Sequence, residues 1–306
     1  MKYAELITPL CTPPSECSYR ELIRHVYADG IGANIVFPMG TTGRFYNCDA
    51  QDVKRHNRLA IDAANKCPGL QVAAGITGRN LHETSKNLAQ SVDMAVAAAR
   101  DGADYVVLMP VYLNRKRNGR CTRRGTTAIV DEVVDALSDG TTLILYNNPH
   151  MTDGKNLQPA KVEQYCKHPA VAALKDSSGD SRLAREYADA CHAHGKSFYV
   201  GDEVLGLQLG TCVHDGIVAG SSNVLPQAWR RAVCRGEQDE FGAYVAGRLI
   251  EIQRTYADMD FPAAFLYMLS RMNVVSAACD VPDEARETLD TLVMSDEFQK
   301  VCPQTL

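Results

Sequence analysis

The sequence has little that would place the protein in a membrane or on a nucleic acid. The 306-residue chain contains no run of 18 apolar residues, so no segment is predicted to span a bilayer. Glu5 falls where a secretion signal needs apolar residues, which favours a cytoplasmic protein. The net charge of −5 argues against nucleic acid as the main partner.

The sequence also lacks the cysteine patterns of metal sites and disulfide frameworks. Its 11 cysteines are scattered singly, without a C-x-x-C pair and without a histidine at zinc spacing. An odd number of scattered cysteines favours free thiols in a reducing compartment. We therefore expect neither a metal ion nor an organic cofactor.

What the sequence does contain is a regular alternation of short apolar runs and longer helical patterns. Two-sided apolar runs are typical of buried parallel strands. The predicted strands are 5–9, 33–37, 70–76, 105–109, 141–146, 171–175, 197–200 and 216–219. The predicted helices are 19–28, 50–64, 81–100, 126–137, 159–166, 180–194, 204–213 and a further helical run over 227–254.

Eight β-α units in succession predict a (β/α)8 TIM barrel with extra C-terminal helices. A doubly wound sheet is the alternative, but the only G-x-G, at Gly30 and Gly32, precedes a strand instead of following one. We expect residues 1–226 to form the barrel core. Residues 227–306 are predicted to supply the last barrel helix and a helical extension of the same compact unit.

In a barrel the chemistry belongs at the C-terminal ends of the strands. Lys175 ends an apolar strand there, and a desolvated amine can attack a carbonyl to form a Schiff base. Tyr146 ends the neighbouring strand and could relay protons to that adduct. The alternatives are a lysine that extends to water and a tyrosine that is merely hydrogen-bonded at the rim.

The loop after the second strand has a composition suited to binding an anion. Gly40 and Gly43 flank Thr41 and Thr42, and glycines allow backbone N–H groups and hydroxyls to converge on a carboxylate. An ordinary turn would explain the same four residues.

Taken together, these segments resemble the dihydrodipicolinate synthase/N-acetylneuraminate lyase family of class I aldolases. The resemblance extends over roughly residues 1–226 and rests on the segments 40–43, 146–149, 174–179, 201–203 and 215–218. It implies that Lys175 forms a Schiff base with pyruvate or another 2-oxo acid and that Tyr146 shuttles protons. It implies that Thr41 and Thr42 bind the carboxylate.

The resemblance implies further contacts and an assembly. Substrate contacts are expected from Ser177, Gly201, Asp202, Glu203 and Val218. The family usually forms homotetramers, in which the residue corresponding to Tyr112 crosses into a neighbouring active site.

Departures from the family pattern narrow the substrate. Met151 stands where dihydrodipicolinate synthases carry an arginine that meets a carboxylate, and Arg44 stands where a glutamate is common. The stretch 215–226 looks most like the 2-keto-3-deoxygluconate aldolases, so we expect reversible cleavage of a 2-keto-3-deoxy sugar acid to pyruvate and an aldehyde. The alternatives are a dehydratase or deaminase, an N-acetylneuraminate lyase, and a silent barrel that only binds 2-oxo acids; dihydrodipicolinate synthesis is disfavoured.

A basic segment follows the fourth strand. Six arginine and lysine residues crowd into 115–124, and such blocks are usually solvated. Alternatively, Arg115 binds a phosphate or second carboxylate at the barrel mouth. Related aldolases that accept phosphorylated sugar acids have an aromatic residue in the tyrosine motif, where this chain has Asn148.

Overall fold

The structure, a computed structural model, describes residues 4–13, 15–79, 84–114, 125–137, 140–235, 240–256, 259–276 and 281–301. Within these ranges eight parallel strands form a closed barrel in which each strand pairs with the next and β8 pairs with β1. The strands are β1 Glu5–Pro9, β2 Ile35–Phe37, β3 Gln71–Gly75, β4 Tyr105–Leu108, β5 Thr142–Asn147, β6 Val171–Asp176, β7 Ser197–Val200 and β8 Gly216–Val218. The predicted (β/α)8 barrel is confirmed, and the doubly wound sheet is excluded.

Helices surround the barrel and continue beyond it. They are α1 Glu16–Tyr27, α2 Ala50–Ala64, α3 Thr84–Asp101, α4 Pro110–Leu113, α5 Gly125–Ala136, α6 Pro159–Cys166, α7 Ser181–His192, α8 Glu203–Leu209, α9 Pro226–Arg235, α10 Glu240–Tyr256, α11 Phe261–Arg271, α12 Asp283–Met294 and α13 Asp296–Val301. Among these described helices, none combines the length and the apolar character needed to cross a bilayer.

Side-chain caps fix where three of the barrel helices begin. Asp49, Asp180 and Asp202 each accept hydrogen bonds from backbone N–H groups in the first turn of α2, α7 and α8. Such caps satisfy donors that have no partner inside the helix. Since these helices follow strand-end loops, the caps also hold the loops at the C-terminal rim of the barrel.

The observed helices differ most from the predicted ones in three places. α8 ends at Leu209, earlier than predicted, because Gly210 leaves the helical conformation with φ 67°. The helical run predicted over 227–254 is two helices, α9 and α10, and residues 236–239 between them lie outside the described part of the chain. α4, which begins with a proline at its first position, was not predicted.

The helices after the barrel reach its C-terminal mouth. α9 contacts β1 and the short 3-10 helix Gly220–Asn223 that follows β8. Phe265 of α11 lies against Gly220, and Asp260, which precedes α11, forms an ion pair with Arg44. The division between core and extension at residue 226 stays a prediction.

Asn223 closes the barrel at its mouth, where β8 meets β1. The side chain is completely buried; its Nδ2 donates to the carbonyl oxygens of Pro9 and Gly220 at 2.7 Å each, and its Oδ1 accepts from Cys11 N at 3.1 Å. One amide therefore holds the end of β1 to the segment after β8.

The variant Asn223→Ala removes these three side-chain hydrogen bonds, so we expect the free energy of unfolding to fall by about 3 kcal/mol. Urea denaturation followed by circular dichroism measures the loss. Asn65→Ala is the control, because Asn65 is exposed at the end of α2 and surface changes stay within about 0.5 kcal/mol. Equal stability of the two variants would contradict this role.

Candidate active site

Lys175 and Tyr146 lie side by side inside the C-terminal end of the barrel. The two residues pair in register between β5 and β6. Lys175 is 6% exposed and Tyr146 is 4% exposed. The lysine Nζ lies 3.9 Å from the centre of the Tyr146 ring. Of the two interpretations of Lys175, the structure therefore shows the buried amine and not the side chain extended to water.

A second aromatic ring completes the surroundings of the amine. Phe37, the last residue of β2, places its ring centre 5.1 Å from Lys175 Nζ and packs edge-on against Tyr146. Aromatic faces attract a cation, which compensates part of the hydration that a buried ammonium loses. Sequence reasoning missed Phe37, although its place at the end of a strand was the available signal.

Besides Lys175, three polar side chains from three segments lie near the Tyr146 hydroxyl. Thr41 Oγ1 lies at 3.1 Å, Asn148 Nδ2 donates to the phenol oxygen at 2.8 Å, and Ser177 Oγ lies at 3.5 Å. Asn148 Nδ2 also lies 3.3 Å from Thr41 Oγ1. The structure thus brings the predicted residues Thr41, Ser177 and Lys175 together around Tyr146 and adds Asn148 to them.

These neighbours make Tyr146 a better acid than an ordinary tyrosine. Burial raises the pKa of its hydroxyl, but the charge of Lys175 and the hydrogen bonds with Ser177 and Thr41 lower it by more. The net result is a pKa below the usual 10.0. A phenol of this kind, beside an amine, is suited to carry protons for chemistry at Lys175.

The Gly-Thr-Thr-Gly loop is packed tightly against the end of β2. A Cβ on Gly40 would lie 2.8 Å from the Phe37 ring, and one on Gly43 would lie 3.0 Å from Met39 N. Thr12 Oγ1 donates to the Gly43 carbonyl at 2.7 Å. Thr42 is buried at 5% exposure. The loop is therefore fixed beside Tyr146, and its binding of a carboxylate stays a prediction.

A second polar cluster is formed by Asn147 and Asp176, the residues that follow Tyr146 on β5 and Lys175 on β6. Asn147 Nδ2 donates to Asp176 Oδ1 at 2.7 Å, and Ser178 Oγ donates to Asp176 Oδ2 at 2.7 Å. Burial raises the pKa of the Asp176 carboxyl, although these hydrogen bonds oppose the shift. The cluster ties the two strands together at the level of Lys175.

The predicted contacts Asp202, Glu203 and Val218 already have structural partners. Asp202 Oδ1 accepts from Leu205 N at the start of α8. The two oxygens of Glu203 accept from Ser221 N and Oγ at 2.9 and 2.7 Å, and burial raises the pKa of this carboxyl. Val218 is a buried strand residue paired with β1. Their contacts with substrate stay predictions.

Two further predicted residues are Tyr112 and Arg115. Tyr112, on α4, is 7% exposed and packs edge-on against Phe45 of its own chain, with ring centres 5.3 Å apart. Arg115 and the rest of the basic segment lie outside the described residues. Nowhere in the described ranges do three His, Cys, Asp or Glu side chains form a group able to hold a metal ion.

Gly201, at the end of β7, permits the approach of this strand to the lysine. A Cβ there would lie 2.2 Å from Ser177 Oγ and 2.8 Å from Lys175 Cε. We expect Gly201→Ala to lower the free energy of unfolding by about 1–3 kcal/mol through overpacking. The matched control is Gly247→Ala, at an exposed position of α10 with open space around it.

Alanine at position 247 should stabilise the helix by about 0.5–1 kcal/mol, the opposite sign. Chemical denaturation of both variants and the unchanged protein measures the difference. A Gly201→Ala protein as stable as Gly247→Ala would show that the close approach is not real.

The sequence is similar to those of known proteins. A 4-hydroxy-tetrahydrodipicolinate synthase of Geobacter sulfurreducens is 28% identical over 211 residues, which span 68% of this chain and 65% of that protein. One of Pseudomonas aeruginosa is 26% identical over 256 residues, spanning 82% and 80% of the two chains. The chain thus matches about two thirds of the length of the first of these relatives.

Solved structures show the same fold. YagE, a prophage protein of E. coli K12 belonging to the dihydrodipicolinic acid synthase family, crystallised with pyruvate, superimposes with a TM-score of 0.80 at 20% identity and 99% coverage of both chains. The dihydrodipicolinate synthase of Acinetobacter baumannii, also with pyruvate, gives a TM-score of 0.78 at 18% identity and 99% coverage of both. Residues 10–292 match the description of the Dihydrodipicolinate synthetase family. The chain belongs to that family.

Proposed function

We propose that this protein is a lyase of the class I aldolase type, in which Lys175 joins a 2-oxo acid as a Schiff base. The observation that carries the proposal is the buried Lys175 amine 3.9 Å from the Tyr146 ring centre, within reach of a phenol with a lowered pKa. Pyruvate complexes of the YagE and Acinetobacter proteins support pyruvate as the 2-oxo acid.

Proton transfer between the two side chains starts the reaction. A Tyr146 phenolate takes a proton from Lys175, the neutral amine adds to the substrate carbonyl, and the proton that the amine nitrogen then loses passes to the carbonyl oxygen. Tyr146 then supplies the proton with which this oxygen leaves as water, so that an iminium remains on Lys175. Thr41 and Thr42 hold the carboxylate and thereby choose which carbonyl meets the amine.

The iminium then permits cleavage without a metal. Tyr146 takes the proton of the C4 hydroxyl, the C3–C4 bond breaks, and its electron pair moves into the iminium to give an enamine and a free aldehyde. Protonation of the enamine at C3 and hydrolysis release pyruvate and restore Lys175. Every step runs in reverse for synthesis.

We infer that the substrate is a 2-keto-3-deoxy sugar acid. Met151, partly buried after β5, offers no positive charge to a second carboxylate, and the stretch 215–226 resembles the 2-keto-3-deoxygluconate aldolases. The names of the Geobacter and Pseudomonas relatives favour 4-hydroxy-tetrahydrodipicolinate synthesis as the second candidate. Pyruvate release from 2-keto-3-deoxygluconate, without 4-hydroxy-tetrahydrodipicolinate synthesis, supports the first candidate; the reverse result supports the second.

The same proposal includes a cytoplasmic location and a homotetramer. In this homotetramer, Tyr112 of each subunit would reach into the active site of a neighbouring subunit. Tyr112 is already packed against Phe45 within its own chain, so its hydroxyl can reach a neighbouring site only if a subunit docks over α4. Sedimentation of the native protein tests the assembly.

Trapping with borohydride tests the Schiff base. Incubation with pyruvate and sodium borohydride should add one reduced pyruvate per chain, at Lys175, by peptide mass spectrometry. Lys175→Met should remove the adduct, and Lys161→Met, at an exposed lysine of α6, should retain it. An adduct on another lysine, or none, rejects the proposed chemistry.

The proton-transfer role of Tyr146 predicts that a Tyr146 variant, unlike Lys175→Met, keeps the pyruvate adduct but loses turnover. Tyr146→Phe keeps the ring beside the amine but removes the hydroxyl, so pyruvate should still be trapped, although more slowly, while kcat falls by about 10²–10⁴-fold. Steady-state pyruvate release measures kcat. Activity within a few-fold of native would assign the proton transfer to another group.

A further inference from the structure

Asn148 has an unusual place beside the reacting groups. Asn148 is 5% exposed and comes directly after β5, the strand that contains Tyr146. The amide nitrogen Nδ2 points at Tyr146 Oη at 2.8 Å and at Thr41 Oγ1 at 3.3 Å. The amide oxygen Oδ1 is buried without a hydrogen-bond partner. A buried polar atom without a partner lowers stability and calls for an explanation.

The backbone holds this amide in position. The Asn148 carbonyl accepts from Met151 N and from Thr152 Oγ1, both at 3.1 Å. Thr152 is itself fully buried. The side chain therefore meets Tyr146 and Thr41 from a fixed position in the loop after β5.

We propose that Asn148 is a positioning residue that keeps the Tyr146 oxygen an acceptor. Because an amide N–H can only donate, the phenol must turn its own hydrogen away from Asn148, and the nearest hydroxyl partner is Thr41 at 3.1 Å. The same N–H stabilises the phenolate once the proton has left, since hydrogen bonds to charged acceptors are the stronger ones. The unpartnered Oδ1 follows from turning the nitrogen toward Tyr146.

This inference rests on the proposed role of Tyr146 as the proton carrier, and it extends that role to the residue that donates to the phenol oxygen. An apolar side chain at position 148 would bury no unpartnered oxygen. The asparagine found at position 148 indicates that the need for a hydrogen-bond donor, and not the stability of the loop, determines the residue type.

Two variants test the proposal. Asn148→Leu has no donor, so the phenolate loses a hydrogen bond; the rising limb of kcat against pH should move up by about one to two units. At neutral pH kcat should fall by about ten-fold or more, with KM for the substrate nearly unchanged. The urea midpoint should be equal to or above that of the native protein.

Asn148→Asp separates donation from acceptance. An ionised carboxylate of the same shape can only accept hydrogen bonds, and its charge repels the phenolate. The rising limb of kcat against pH should therefore move to a higher pH than in Asn148→Leu. If the Asn148 amide instead accepts from Tyr146 through its oxygen, it stabilises the neutral phenol, so the rising limb in Asn148→Leu will not move up, and the proposal is overturned.

The matched control is Asn57→Leu. Asn57 is also a buried asparagine with an unpartnered Oδ1, but its Nδ2 donates to the Gly75 carbonyl. This variant should lose stability and keep the native pH profile. A shifted profile in Asn57→Leu, or an unshifted one in Asn148→Leu, would contradict a specific role for Asn148.

A readout without turnover separates this proposal from the proposed function. Near-ultraviolet difference spectra record tyrosine ionisation, and the Tyr146 phenolate is identified by its loss in Tyr146→Phe. Its pKa should rise in Asn148→Leu and rise further in Asn148→Asp. If borohydride traps nothing on Lys175 but these pKa shifts occur, the proposed Schiff-base function is wrong and the positioning role of Asn148 stands. If pyruvate is trapped but the pKa shifts do not occur, the Schiff-base function stands and the positioning role of Asn148 is wrong.

Discussion

The contact between the amine of Lys175 and the ring of Tyr146 is the interaction on which the rest of the site depends. A lysine is seldom buried, because an ammonium loses much hydration. Here the amine meets two aromatic faces, of Tyr146 and Phe37, and its charge lowers the pKa of the nearby phenol. Burial thus brings the amine and the phenol that we propose as its proton carrier together in one contact.

The barrel provides that contact through register. Lys175 pairs with Tyr146, and the next residues, Asp176 and Asn147, pair on the other side of the strands. Lys175 and Tyr146 are available for chemistry, whereas Asp176 and Asn147 form a hydrogen bond that joins β5 to β6. The absence of a side chain at Gly201 then leaves space for the lysine.

Much of this could be predicted from the sequence, because both the barrel and the placement of Lys175 and Tyr146 follow from local pattern. Apolar runs mark buried strands, and adjacent strand ends must meet at one rim. Side-chain hydrogen bonding is different, since it depends on tertiary distances of a few tenths of an ångström. The donation from Asn148 and the pairing of Glu203 with Ser221 therefore required the structure. The early end of α8 at Gly210 reflects a local conformational choice.

A crystal structure of the protein soaked with pyruvate would show whether the Schiff base forms at Lys175. We expect continuous density from Lys175 Nζ to C2 of the ligand, the ligand carboxylate against Thr41 and Thr42, and the Tyr146 oxygen within hydrogen-bond distance of the adduct. A Lys175 side chain directed into solvent, or pyruvate bound away from Tyr146, would contradict this expectation.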